Sequence, residues 1–225
     1  MERAVVRCML IAALVCMAAG IAFADVTQDS DYAYESLFNA GKYNEAVTAF
    51  KKILVDHPAS EEANEANYWV ALSYYTLNKK DEALTYFAKQ IEKAPSNRLT
   101  PEAVIWTGQI YLDKKEYDQA LLEFTKAAST YPDFALRANC SIADCYRVQQ
   151  KFKEAIDVLK STSEAALAAS VSKDDFYLKS IRIKLGEIYR DIEDWDNGAV
   201  LYQNLITDYP EDAGGFKLDL AACCM

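Results

Sequence analysis

Histidine is almost absent from this chain: one residue, His57, among 225. A Ser-His-Asp or Cys-His arrangement would have to be built on that residue. His57 lies just before Pro58 with no nucleophile motif beside it, and there it reads as the C-terminal cap of a helix. A metal centre would want paired His or Cys at ligand spacing, and the sequence has no such pairs. It also lacks a G-x-S-x-G turn, an H-E-x-x-H helix and a glycine-rich phosphate loop, the patterns that carry hydrolase, metalloprotease and nucleotide chemistry. Carboxylate pairs do occur, at Glu61-Glu62 and Asp174-Asp175. They fall at expected helix starts, where they complement the helix dipole. No catalytic residue, metal or cofactor is therefore expected.

A disulfide framework is absent as well. Of the six cysteines, Cys8 and Cys16 fall in the N-terminal apolar segment. Cys140 and Cys145 share one expected helix, where five residues turn the axis by about 140° and their side chains diverge. Cys223 and Cys224 are adjacent, too close along the backbone for an ordinary bridge. Basic residues are outnumbered, 24 Lys and Arg against 34 Asp and Glu, for a net charge of −10. Nucleic acid needs a basic footprint, and an anionic membrane surface attracts positive segments, so both are excluded as partners.

A long apolar run occurs only at the start. Arg3 and Arg7 precede a stretch from Cys8 to Ala24 that closes on Ala22-Phe23-Ala24. This basic, apolar, small-x-small order reads as a secretory signal peptide over residues 1–24, cleaved after Ala24 and leaving no membrane span. Neither Cys8 nor Cys16 follows the small residue that lipidation wants.

The remaining chain repeats itself. Gly41-Lys42-Tyr43-Asn44-Glu45-Ala46 runs on to Pro58, Asn78-Lys79-Lys80-Asp81-Glu82-Ala83 to Pro95, and Lys115-Glu116-Tyr117-Asp118-Gln119-Ala120 to Pro132. Gln150 to Ala155 is a fourth copy without its proline, and Glu193 to Gly198, closing at Pro210, a fifth. The small residues Ala46, Ala83, Ala120, Ala155 and Gly198 are spaced 37, 37, 35 and 43. A fixed period of this size marks a solenoid of helical hairpins. Each proline ends a second helix, since it lacks an N–H and restricts the residue before it. Apolar periodicity predicts helices over about 30–39, 42–56, 60–77, 80–93, 100–113, 116–130, 134–148, 151–166, 173–191 and 195–208. A polar lead at 25–30 precedes the solenoid at 31–210, and a tail at 211–225 follows it. Ser161 to Lys173 reads either as a longer helix or as a looser linker. The tail reads either as a short docked helix or as the start of further repeats.

Gly108, Tyr111, Tyr117, Ala120, Phe124, Ala127 and Pro132 resemble the tetratricopeptide repeat pattern, as do Ala143 and Tyr146, and Gly186 and Tyr189, in later units. The resemblance implies an all-α fold of about five hairpins in a right-handed superhelix, one continuous domain. The segments His57-Pro58-Ala59-Ser60 and Glu65-Ala66-Asn67-Tyr68-Trp69 look like a bacterial envelope subtype. That subtype includes the Tol–Pal-associated periplasmic repeat protein and the outer-membrane-protein assembly lipoprotein.

In such proteins the first helix of each repeat lines a concave groove. Carried over by register, this places Tyr68, Leu72, Tyr75, Ile105, Gln109, Leu112, Cys140, Asp144, Arg147, Ile183, Glu187 and Arg190 on that surface. Its N-terminal part is aromatic and aliphatic, with Tyr68, Leu72 and Tyr75 as one exposed stripe, and its C-terminal part carries both charges. The resemblance implies a non-catalytic, exported scaffold, periplasmic or outer-membrane-associated, that binds a protein or peptide. A small-ligand or lipid-binding protein and a regulatory subunit of an envelope enzyme are the alternatives.

Overall fold

A computed structural model describes residues 26–224. The leader expected over 1–24 and its cleavage site lie outside the described residues. Every regular element described is helical, and the fold is an all-α helical-repeat solenoid. The elements are α1 (Tyr32–Phe38), α2 (Tyr43–Asp56), α3 (Glu61–Thr76), α4 (Lys80–Lys93), α5 (Thr100–Asp113), α6 (Tyr117–Thr130), α7 (Ala135–Val148), α8 (Phe152–Ala168), α9 (Phe176–Asp191), α10 (Trp195–Asp208) and α11 (Ala213–Cys223). They alternate as first and second helices of five repeats, with α11 after them.

Each repeat turns in the same way. The residue closing the first helix sits in the left-handed region: Gly41, Asn78, Lys115, Gln150 and Glu193 all have positive φ. The N–H of the next residue then donates to a carbonyl five residues back, as in Lys79 to Tyr74, Glu116 to Tyr111 and Asp194 to Tyr189, each at 2.8 Å. This is the Schellman arrangement, which satisfies carbonyls left open at a helix end. The second helices finish with a cap residue whose N–H reaches back four residues, His57 to Ile53 and Tyr131 to Ala127 among them, immediately before the proline. His57 is thus the cap that its position suggested.

Two expectations change. Residues 26–31 are not a polar lead but helix, continuous with the π-helical α1. Val26 is buried, and Thr27 donates to Glu62 Oε1 at 2.6 Å, so contacts with α3 outweigh the polar composition. In the Ser161 to Lys173 stretch the helical reading holds as far as Ala168. Ser170 then turns left-handed, with Val171 N–H on Ala166 O at 3.0 Å, and Asp175 starts α9 by accepting from the N–H groups of Tyr177 and Leu178.

The described residues fall into two compact units, one ending at Trp106 and the other beginning at Thr107. In the first, α2, α3 and α4 pack together around Phe50, Ile53, Ala66 and Val70, with Trp69 against the cluster. Trp69 meets four rings, Tyr34 at 4.6 Å, Tyr68 at 5.1 Å, Phe38 at 5.3 Å and Phe50 at 6.3 Å between centroids. In the second, α7 packs on α6, α8 and α9, α9 on α8 and α10, and α11 on α10. Small residues set the helix spacing: Ala120 is wholly buried, and Gly108 lies directly on the Phe124 ring. The tail is the docked helix, with Phe216 of α11 buried among Tyr202, Leu205 and Tyr209. The four cysteines described are free.

Candidate functional site

The first helices of the repeats carry the residues selected from sequence, and the structure sorts them. In the N-terminal unit the expected exposed stripe on α3 breaks at Tyr68. That residue is only 5% exposed. Its ring stands edge-on to Trp69 at 5.1 Å and to Phe87 of α4 at 5.7 Å. The stripe leans onto α4 at its N-terminal end, where a buried phenylalanine supplies an aromatic contact that favours burial. Ile105 is also core, 3% exposed, because α5 is apolar around a wide arc, with Ala103 and Val104 buried beside it. Leu72 and Tyr75 stay half-exposed. Tyr75 packs its ring 5.0 Å from Trp106, which is also half-exposed. The surface in this unit is therefore Leu72, Tyr75 and Trp106, standing over a floor to which Tyr68 belongs.

In the C-terminal unit Cys140 is buried rather than on a surface, and burial pushes its thiol pKa up, which keeps it protonated and inert. Gln109 donates to Asp113 at 2.9 Å along its own helix, and Leu112 is half-exposed. Ile183 packs against the Tyr202–Phe216 cluster. The charged residues are joined to one another. Arg147 of α7 donates to Glu187 at 3.0 Å and to Asp191 at 2.7 Å on α9. Asp144 is taken not by an arginine but by Lys184, at 2.6 Å. Arg190 of α9 pairs with Asp219 of α11. The Asp191 carboxylate holds the Arg147 guanidinium above its usual pKa. For Lys184, burial works downward most strongly of any single cause, but the Asp144 hydrogen bond and the negative charge around it together outweigh burial and the net shift is up. These are half-exposed pairs, a class worth roughly 0–1 kcal/mol each, and they form a ladder from α7 through α9 to α11.

Among the described residues, no group of three His, Cys, Asp or Glu is placed to hold a metal ion, and no helix is long and apolar enough to cross a membrane. What the two surfaces offer is contact area and fixed charge. Tetratricopeptide repeat models match residues 35–98, 102–134 and 182–212. The chain belongs to the tetratricopeptide repeat family. Solved tetratricopeptide structures share its fold. MamA of Desulfovibrio magneticus RS-1 is 16% identical, with 83% of this chain and 96% of that one covered at a TM-score of 0.60. A thermophilic repeat protein of Thermus thermophilus is 18% identical over 88% and 98%, at 0.56. The C-terminal part of a repeat-containing protein of Cytophaga hutchinsonii is 18% identical over 86% and 69%, at 0.67. No curated protein matches the sequence.

The tetratricopeptide fold points to protein–protein interaction. In repeat terms the sequence missed Trp106, Lys184, Asp191 and Asp219. Lys184, Glu187 and Arg190 alternate in sign at three-residue steps, a one-face pattern that would have drawn Lys184 in. Trp106 had no such signal: the groove register selected its neighbour Ile105, which is buried.

Proposed function

We propose that this tetratricopeptide protein is a non-catalytic scaffold that is exported and holds a protein or peptide partner on the exposed faces of its first helices. The Leu72–Tyr75–Trp106 surface carries the reading: half-exposed aromatic and aliphatic groups over a rigid, aromatic-packed floor. Tyrosine and tryptophan are the side chains that dominate binding hot spots. The Asp144–Lys184 and Arg147–Glu187–Asp191 pairs already satisfy one another, so the charged end contributes orientation and exclusion of wrong partners more than affinity.

Export rests on the Arg3–Ala24 pattern, and a role in organising the bacterial envelope rests on the resemblance of residues 57–60 and 65–69. The test is site-specific photo-crosslinking in cells of the native organism. A crosslinker replacing Tyr75 should yield one discrete adduct in the periplasmic fraction, whereas one replacing the exposed Val200 of α10 should not. Adducts from Val200 alone would move the site off the first helices. Adducts formed only in the cytoplasm would remove the envelope role.

A further inference from the structure

A second recess lies away from the surface just described, between α2, α3 and α4 of the N-terminal unit. It is an open cleft of about 440 Å³, inside the range of roughly 300–1,000 Å³ typical of small-molecule sites. Three ammonium groups line it, from Lys51, Lys89 and Lys93, and no carboxylate does. In a chain of net charge −10 such a gathering of one sign is unusual, and among the described residues none of the three lysines is ion-paired. Tyrosine rings hold two of them instead, Lys51 and Lys89. Lys51 Nζ donates to Tyr74 Oη at 2.7 Å and stands 5.1 Å from the Tyr86 centroid. Lys89 Nζ stands 4.3 Å from that same centroid. The negative ring face offsets part of the repulsion between cations but leaves their charge unneutralised. Beneath them lies Asn67, only 5% exposed and lining the cleft. No hydrogen bond within the described residues holds its side-chain amide, which is left available to a ligand in the cleft.

The same place in a later repeat shows how the fold treats a cleft it has closed on itself. Lys160 is the ninth residue of α8, as Lys51 is of α2. Arg182 is the seventh of α9, as Asn67 is of α3. There, however, Asp208 ends α10 where Lys93 ends α4, and Glu164 replaces Val55. Arg182 is paired with Asp208 at 2.8 Å, and Glu164 lines that recess. The C-terminal cleft thus carries its own counter-charge, and the N-terminal one does not.

We propose that the α2–α3–α4 cleft binds a small organic phosphate, its phosphate on Lys51, Lys89, Lys93 and the Asn67 amide, its apolar part against Leu54 and Pro58. Three point charges without a guanidinium suit a tetrahedral dianion approached from several directions; a planar carboxylate is better matched by the arginine fork. A phosphate monoester could be soluble or a lipid headgroup. The chain's acidity opposes an anionic bilayer, and the ligand is soluble.

Nuclear magnetic resonance on the ¹⁵N-labelled protein tests this with phenyl phosphate as the probe. The side-chain amide signals of Asn64 and Asn67 should shift saturably, with the exposed Asn44 as reference. Lys89→Gln with Lys93→Gln should weaken binding about tenfold or more, the scale of losing charge-assisted hydrogen bonds, while Lys52→Gln leaves it unchanged. The same spectra report whether each variant is folded, and Lys93, exposed on its own, serves alone if the pair is not. Three results overturn the proposal: no saturable shift at Asn67 with phenyl phosphate, equal binding of benzoate, or binding only to phosphatidylcholine vesicles containing phosphatidic acid. Because the cleft and the Leu72–Tyr75–Trp106 surface are separate, neither result bears on the partner site.

Discussion

A methyl group added at Gly108 would stand 2.6 Å from the Phe124 ring. Phe124 is wholly buried and has no room to swing away, so Gly108→Ala is expected to cost about 1–3 kcal/mol, the range for overpacking. Thermal melts check it, and Phe124→Leu in the same chain should recover part of the loss. Tyr202 is a second pressure point. It is buried with its hydroxyl lacking a partner among the described residues, and burial pushes its pKa up to about 12. The unfolded chain releases this proton near pH 10, whereas the folded one holds it until about 12. Between those values the unfolded state binds fewer protons, so stability is full below pH 10 and falls as pH rises through the window. Denaturant melts from pH 9 to pH 12 should show this slope, and Tyr202→Phe should flatten it. The sequence marked Gly108 and Ala120 because small residues stood at fixed places in a repeat. It misplaced Tyr68 because a wheel of about 100° per residue gives the side of a helix but not which neighbour covers it. Phe87, which covers that ring, lies nineteen positions away in another helix.

Helix ends were legible where proline marked them and illegible where the backbone alone decides. Of the five residues that close a first helix in the left-handed region, only Gly41 and Asn78 are types that favour it; Lys115, Gln150 and Glu193 are not. A side chain held there costs about 1–2 kcal/mol, and the hydrogen bond from the following residue keeps it in place. Lys115→Gly should therefore stabilise the protein by about 0.5–1 kcal/mol, the relief being offset in part by glycine's freedom in the unfolded chain. A fall in melting temperature would mean that the Lys115 side chain holds contacts worth more than the strain. The second helices show a related shortfall. Lys42, Lys79, Glu116 and Lys151 occupy the N-cap without a side-chain bond, whereas Asp194 at the same place accepts from Asn197 N–H at 3.3 Å. Charge and turn chemistry at these junctions have been left unoptimised in four repeats of five.

A repeat protein is held together by neighbours, so damage stays local. Phe216 of α11 covers Tyr202, Leu205 and Tyr209 of α10, and Phe216→Asp should free that face. Hydrogen exchange should then quicken in α10 and α11 while protection in α2 to α4 is unchanged; loss of protection throughout would mean that the chain unfolds as one. The tryptophans turn this arrangement into an optical instrument. Trp69 is wedged among four aromatic rings in the N-terminal unit, whereas Trp195, at the start of α10, is 39% exposed. An aqueous quencher such as iodide reaches the second more readily than the first. With the half-exposed Trp106 replaced by Phe, emission recorded with and without iodide separates melting at the two ends of an unlabelled chain.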